Sequence, residues 1–195
     1  MNKHRFLGLD SFALKSFFGG LFLAGIIIVG CTQIKEINLT QMESPRIVVK
    51  KKRRELQVFD REKLIKTYSV VLGSMPEGDK KEEGDGKTPE GEFYIFAKND
   101  QSKFYLSLGV SYPNIEDARR GLAEKIISPE EHDAIVKAIN ERQIPPQNTK
   151  LGGEIYIHGG GTLTDWTAGC VALENEEMKE VFDAIPIGTT VQIMP

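Results

Sequence analysis

The sequence has few of the residues from which disulfides and metal sites are built. It contains two cysteines, Cys31 and Cys170, and three histidines, His4, His132 and His158, in 195 residues. The two cysteines lie in very different sequence contexts, which argues against a disulfide between them. The histidines show none of the spacings typical of metal ligands, so the sequence predicts no metal site.

Two further absences narrow the function. The chain has neither a Gly-x-Gly-x-x-Gly motif nor a phosphate loop of the Gly-x-x-x-x-Gly-Lys-Ser/Thr type, so no nucleotide cofactor is expected. The formal net charge is -3, and no excess of basic residues points to nucleic acid as a partner. The one basic run, residues 50–54, is interpreted as a charged edge strand. The alternative is contact with an anionic surface such as lipid or cell-wall polymer.

The N-terminus has the pattern of an export signal. Basic residues open the chain, and an apolar run then covers residues 17–30, which is the length of a signal sequence and short for a membrane span. The run ends in Ile28-Val29-Gly30-Cys31, which resembles a bacterial lipobox and implies cleavage before Cys31 and lipidation of its thiol. Secretion without lipidation and an uncleaved anchor are the alternatives. Residues 1–30 are therefore interpreted as a leader and residues 31–45 as a tether. All three alternatives place residues 46–195 outside the cytoplasm, and lipidation of Cys31 would anchor them to a membrane.

The remainder, residues 46–195, predicts one β-rich α+β domain with a short helical insertion. Alternating apolar residues between turn signals predict strands, and Ser128 followed by Pro129 and Glu131 predicts a helix start. Predicted strands cover 46–52, 55–60, 63–73, 92–97 and 104–110, with a final strand pair at 154–158 and 189–194. Predicted helices cover 115–125, a segment from 128 that ends before Pro145, and 176–184. Residues 75–89 are predicted to form a loop.

The strongest chemical signal is a histidine and a cysteine beside glycines. His158 ends an apolar strand and is followed by three glycines, while Gly169 precedes Cys170. A nucleophilic thiol needs a base and an exposed position, and a glycine before it allows a tight turn. Alone, such a cysteine is more often a buried apolar residue and such a histidine a satisfied polar one; together in an exported chain they point to a catalytic pair.

Three stretches resemble the L,D-transpeptidase (YkuD) catalytic domain: residues 157–159 (IHG), 167–175 (TAGCVALEN) and 84–93 (GDGKTPEGEF). The helical insertion is similar to that of a subgroup of envelope enzymes. The resemblance implies a YkuD-like β-sandwich or barrel that acts on peptidoglycan stem peptides without a cofactor. Cys170 would be the nucleophile and His158 its base, while Gly159, Thr167 and Gly169 would contact the substrate or its oxyanion.

Two departures from the family pattern leave questions open. The family commonly has a serine and a histidine before the Gly-Cys pair, and an arginine two residues after the cysteine, where this chain has Ala172. Lys87, Arg119 or Arg120 are the candidates to replace that arginine as the partner of a substrate carboxylate, although each is also typical of a surface charge. Trp166 is expected either to wall the site or to pack in the core.

Three functions remain compatible with the sequence. The first is a transpeptidase that passes the Cys170 thioester to an amine of a second stem. The second is a hydrolase on the same scaffold, an L,D-carboxypeptidase or amidase, in which water resolves the thioester or cleaves a lipoprotein link to the stem. The third is a lipid-anchored module that binds peptidoglycan without catalysis. It is suggested by the absence of the family's second histidine and arginine.

Overall fold

The computed structural model describes residues 39–195. The predicted leader, the lipidation site Cys31 and the first part of the tether, residues 31–38, lie outside the described residues. Two residues assigned to the tether, Leu39 and Met42, pack against the hydrophobic core, so the folded part begins before position 46. Within residues 39–195, no helix combines the length and the apolar character needed to cross a membrane.

Residues 39–195 form eight strands and three α-helices. In chain order these are β1 (Pro45–Lys50), β2 (Glu55–Asp60), β3 (Lys63–Ser69), β4 (Gly91–Ser102), β5 (Tyr105–Val110), α1 (Ile115–Ala123), α2 (Pro129–Asn140), β6 (Tyr156–His158), β7 (Val171–Ala172), α3 (Asn175–Ala184) and β8 (Thr190–Met194). The strands make one curled sheet in the order β3-β2-β1-β8-β4-β5-β6-β7. This architecture confirms the predicted mainly β, α+β fold.

Strand β4 joins the two halves of the sheet. Its first residues, Gly91–Tyr94, pair with β8, and the stretch from Ile95 onward pairs with β5. Irregularities in register interrupt the pairing with β5, and such irregularities bend and twist a strand. The sheet therefore curls around one hydrophobic core, to which both halves contribute buried aliphatic side chains.

The basic run 50–54 does not form an edge strand. β1 lies between β2 and β8, and Lys51 is buried at 2% exposure. Its ammonium donates to the carbonyl oxygens of Gly78 and Thr88 and to a Glu90 carboxylate oxygen, at 2.6, 2.8 and 2.8 Å. Buried charges persist when they are paired and hydrogen-bonded in this way. The edge-strand interpretation was therefore wrong. The burial of Lys51 could not be foreseen, because its three acceptors are remote in sequence.

The helical insertion lies between β5 and β6. Ser128 and Glu131 form the predicted capping box of α2, and the helix ends at Asn140, before Pro145 as expected. The insertion has its own small core of Ala118, Ile127, Ile135 and Leu151. Because β5 pairs directly with β6, the whole insertion connects two neighbouring strands.

The predicted final strand pair does not exist as a pair. The first member forms β6, which lies between β5 and β7, and the second forms β8, which lies between β1 and β4. The short strand β7 was not predicted. It pairs in parallel with β6, placing Val171 opposite Ile157 and Ala172 opposite His158. This parallel pairing is what brings the segment after Cys170 beside the strand that ends in His158.

Candidate active site

One cavity contains both predicted catalytic side chains. Cys170, His158, Tyr156 and Glu154 line it. The β4–β5 hairpin contributes the other lining residues, Asn99, Gln101, Ser102, Lys103, Phe104 and Ser107. Tyr156 and His158 lie on the same side of β6, because side chains two apart in a strand share a face. Glu154 precedes the strand, with a left-handed φ of +53°.

A tight turn presents Cys170 at the start of β7. Gly169 has a φ of +141°, a conformation that favours glycine. A side chain at this position would place its Cβ 2.7 Å from the carbonyl oxygen of Lys87. The hydroxyl of Thr167 fixes the turn, since it accepts from the Gly169 amide at 3.2 Å and donates to the Cys170 carbonyl at 2.8 Å.

Residues of the motif at 84–93 pack against this turn and hydrogen-bond to it. Thr88 is fully buried, and its hydroxyl accepts from the Gly73 amide at 2.9 Å and donates to the Cys170 carbonyl at 3.4 Å. Gly73 is so closely packed that a Cβ there would lie 2.1 Å from the Gly86 carbonyl oxygen. Three backbone segments thus pack without intervening side chains, which fixes the position of Cys170.

His158 is held in one tautomer and packed between aromatic rings. Its Nδ1 lies 2.5 Å from the Gly159 carbonyl oxygen; a carbonyl only accepts, so Nδ1 carries the proton and Nε2 keeps its lone pair. Phe104 stacks on the imidazole with ring centres 4.7 Å apart, and Trp166 packs edge-on at 5.6 Å. Burial lowers the pKa of His158, against the opposing effect of the bond to Gly159, so the ring is neutral at pH 7 and can act as a base.

The thiol of Cys170 is protonated in this arrangement. It donates to the Glu154 carbonyl at 3.5 Å and accepts from the Tyr156 amide at 3.4 Å. Burial raises the pKa of Cys170 to about 11, and the negative charge of Glu154 adds to this rise. Among the described residues, no hydrogen bond joins Cys170 to His158. The site therefore holds a neutral thiol and a neutral imidazole rather than a preformed ion pair.

The remaining predicted site residues have structural roles. The Gly159 amide donates to the Leu106 carbonyl, and the Gly169 amide and the Thr167 hydroxyl are bonded to each other. The groups expected to contact the substrate or the oxyanion are thus already used within the protein, and none of the three residues lines the cavity. These residues shape the backbone around Cys170 and His158, and their contacts with the substrate or its oxyanion stay a prediction.

The candidates for a carboxylate partner also lie elsewhere. Arg120 pairs with Asp79 and Asp117 at 2.7 and 2.9 Å, and neither Lys87 nor Arg119 lines the cavity. Ala172, which replaces the family's arginine, is fully buried. Lys103 is the one cationic side chain among the described residues on the cavity wall.

Sequence reasoning missed several residues of the cavity. Tyr156 carried a usable signal, because it precedes His158 by two positions in the strand and so shares its face. Glu154 reaches the cavity from a left-handed residue before the strand, which strand alternation does not predict. Lys103 and Phe104 carried none, since they reach the site only through the pairing of β5 with β6. Trp166 packs against His158 and Phe104 and remains 38% exposed.

Residues 39–195 thus form a mainly β domain in which a cysteine and a histidine line one cavity. The chain belongs to the YkuD family: the family model described as "L,D-transpeptidase catalytic domain" matches residues 44–193. This match confirms the family suggested by the sequence motifs. The subgroup remains a prediction.

Solved structures with a similar fold extend the comparison. Bd1075 of Bdellovibrio bacteriovorus is 25% identical, with a TM-score of 0.52, over 78% of this chain and 48% of that one. The helical cell shape determining protein Pgp2 of Campylobacter jejuni is 23% identical, with a TM-score of 0.51, over 82% of this chain and 51% of that one. The chain thus spans about half the length of these relatives. No curated protein matches it.

Proposed function

We propose that this protein is a cysteine-dependent L,D-transpeptidase that acts on peptidoglycan stem peptides, with Cys170 as nucleophile and His158 as general base. The observation that carries the proposal is the position of the thiol and of a neutral, tautomer-fixed imidazole on one cavity of a domain of this family. A partly exposed thiol beside a base is the arrangement that nucleophilic catalysis requires.

In the acylation step, the Cys170 thiol leaves the Glu154 carbonyl and transfers its proton to Nε2 of His158. Sγ attacks the carbonyl that follows the L-centre of the third stem residue. The imidazolium then protonates the amine of the departing D-alanine, so the products are a thioester on Cys170, free D-alanine and a neutral His158.

In the second step, an amine of another stem attacks the thioester. His158 accepts the proton that the attacking nitrogen loses, and returns it to Sγ as the carbon–sulfur bond breaks. The product is an amide between the two stems, and the enzyme regains its thiol. The fixed Nδ1–H bond to Gly159 keeps the same nitrogen of His158 directed to both transfers.

The proposal includes an extracytoplasmic location with a lipid anchor on Cys31, which rests on the sequence of the leader. Metabolic labelling with an alkyne-tagged fatty acid tests it. We expect label on the full chain and none on a Cys31→Ala variant, whereas equal labelling of both would contradict the anchor.

The activity is tested by incubating the purified full chain with a disaccharide-tetrapeptide and following the products by mass spectrometry. We expect a cross-linked dimer, and its loss in a Cys170→Ala variant that retains the circular dichroism spectrum of the unmodified chain. Tripeptide without dimer would make the protein a hydrolase. No product, together with a Cys170 thiol that a carbapenem does not acylate, would favour the binding module.

A further inference from the structure

The catalytic cavity contains one acidic side chain that the proposed mechanism does not use. Glu154 is the only carboxylate among the described residues that line it, and its side chain is exposed to solvent. Within residues 39–195, no lysine, arginine or histidine forms an ion pair with Glu154. Its charge therefore forms no ion pair in the cavity, which Lys103 also lines.

The backbone of Glu154 is held in place on both sides. Its amide donates to Oε1 of Gln147 at 2.7 Å, and its carbonyl accepts from the Cys170 thiol at 3.5 Å. Gln147 is itself anchored, since its amide group donates to the carbonyl oxygens of Tyr112 and Pro145 at 3.0 and 2.8 Å. The backbone of Glu154, from which the carboxylate extends, is thus fixed in contact with Cys170.

The residue type at this position is not explained by the backbone. Glu154 has a φ of +53°, a left-handed conformation that a glycine would adopt with less strain. The negative charge is also unfavourable for the nucleophile, because it contributes to the raised pKa of Cys170, after the larger effect of burial. What the glutamate adds to the site is a negative charge beside the reacting sulfur.

We propose that Glu154 binds the positively charged amine of the acceptor stem and directs it to the Cys170 thioester. The inference rests on the proposed transpeptidase function and assigns the acceptor half of that site. In the acyl-enzyme the sulfur is part of a neutral thioester, so the carboxylate is free to bind a cation beside it. It attracts an ammonium group in preference to a neutral nucleophile such as water.

The proton balance of this step is simple. The bound ammonium first loses one proton to solvent, which leaves a free amine. The amine nitrogen forms a bond to the thioester carbon, its second proton passes to His158, and His158 delivers that proton to Sγ as the carbon–sulfur bond breaks. Glu154 positions the amine and undergoes no net change.

The test compares two nitrogen nucleophiles that differ in charge. Full-chain protein, acylated on Cys170 by a tetrapeptide donor, is offered a diaminopimelate-containing acceptor stem, whose amine is protonated near neutral pH, together with hydroxylamine, which is neutral there. The ratio of the two products reports acceptor selection independently of the acylation rate. In Glu154→Gln we expect the ratio to fall roughly three- to tenfold in favour of hydroxylamine, and in Glu154→Lys to fall further.

Glu124→Gln is the matched control. Glu124 is an exposed residue at the end of α1, so this variant makes the same change in net charge outside the cavity, and we expect its product ratio to equal that of the unmodified chain. A ratio within about twofold of the unmodified value in both Glu154 variants would overturn the inference. Hydrolysis alone, with neither acceptor used by the unmodified chain, would instead overturn the transpeptidase function on which it rests.

Discussion

Replacement of Thr88 by valine tests whether the motif at residues 84–93 serves as a support for Cys170. The two side chains have nearly the same shape, so the change removes a hydroxyl and leaves little empty space. Thr88 is fully buried, and its hydroxyl is the partner of the Gly73 amide at 2.9 Å. The Cys170 carbonyl loses one donor but keeps the Thr167 hydroxyl at 2.8 Å.

The expected cost follows from the buried amide. A buried N–H that loses its only partner costs about 1–3 kcal/mol, and the weaker contact to Cys170 adds little because that carbonyl remains bonded. We therefore expect Thr88→Val to lower the free energy of unfolding by about 1–3 kcal/mol. Acylation of Cys170 by a carbapenem should also slow, because the turn that presents the thiol loses part of its support.

The assay is urea unfolding followed by circular dichroism, with Thr67→Val as the matched control. Thr67 is exposed on β3, where valine suits a strand, so its substitution should change the free energy of unfolding by less than about 0.5 kcal/mol. Equal stabilities for the two variants would refute the reasoning, because they would show that the Thr88 hydroxyl does no more for the fold than an exposed one.

Two other predictions concern the turn and the thiol. Gly169→Ala should destabilise the protein by at least about 1 kcal/mol more than Gly84→Ala. Both positions have positive φ, but only at Gly169 does a carbonyl oxygen lie 2.7 Å from the new Cβ. Similar unfolding midpoints for the two variants would contradict this. The raised pKa of Cys170, about 11 against a usual 9.0, means that the thiolate forms only at high pH. In a Cys31→Ala background, the rate of alkylation by iodoacetamide should therefore keep rising with pH beyond the usual value and level off near pH 11; a plateau below the usual value would show that the resting thiol is already activated.

Local signals in the sequence were sufficient for much of the secondary structure. The start of α2 was predicted from Ser128 and Glu131, because a capping box is complete within four residues. The hairpin of β2 and β3 followed from the turn between Asp60 and Lys63. The order of the sheet was not predictable in this way, since β8 inserts in parallel beside β1, more than a hundred residues away in the chain.

Long-range pairing also decided what could be predicted about the candidate site. Motifs selected Cys170 and His158, and the structure brings both to one cavity. The burial of Lys51 could not be predicted, because its partner Glu90 lies in another segment. The aromatic packing on His158 depends on Phe104, which reaches the imidazole only through the ladder between β5 and β6.

The insertion between β5 and β6 has a consequence for how such domains can diverge. Because the two flanking strands pair directly, their register does not depend on the length of the 45-residue segment between Val110 and Tyr156. Gln147 lies near the C-terminal end of this segment, and its side chain accepts a hydrogen bond from the amide of Glu154. Under the proposed function, exchange of this segment alone is a route to a different choice of acceptor that leaves Cys170 and His158 in place.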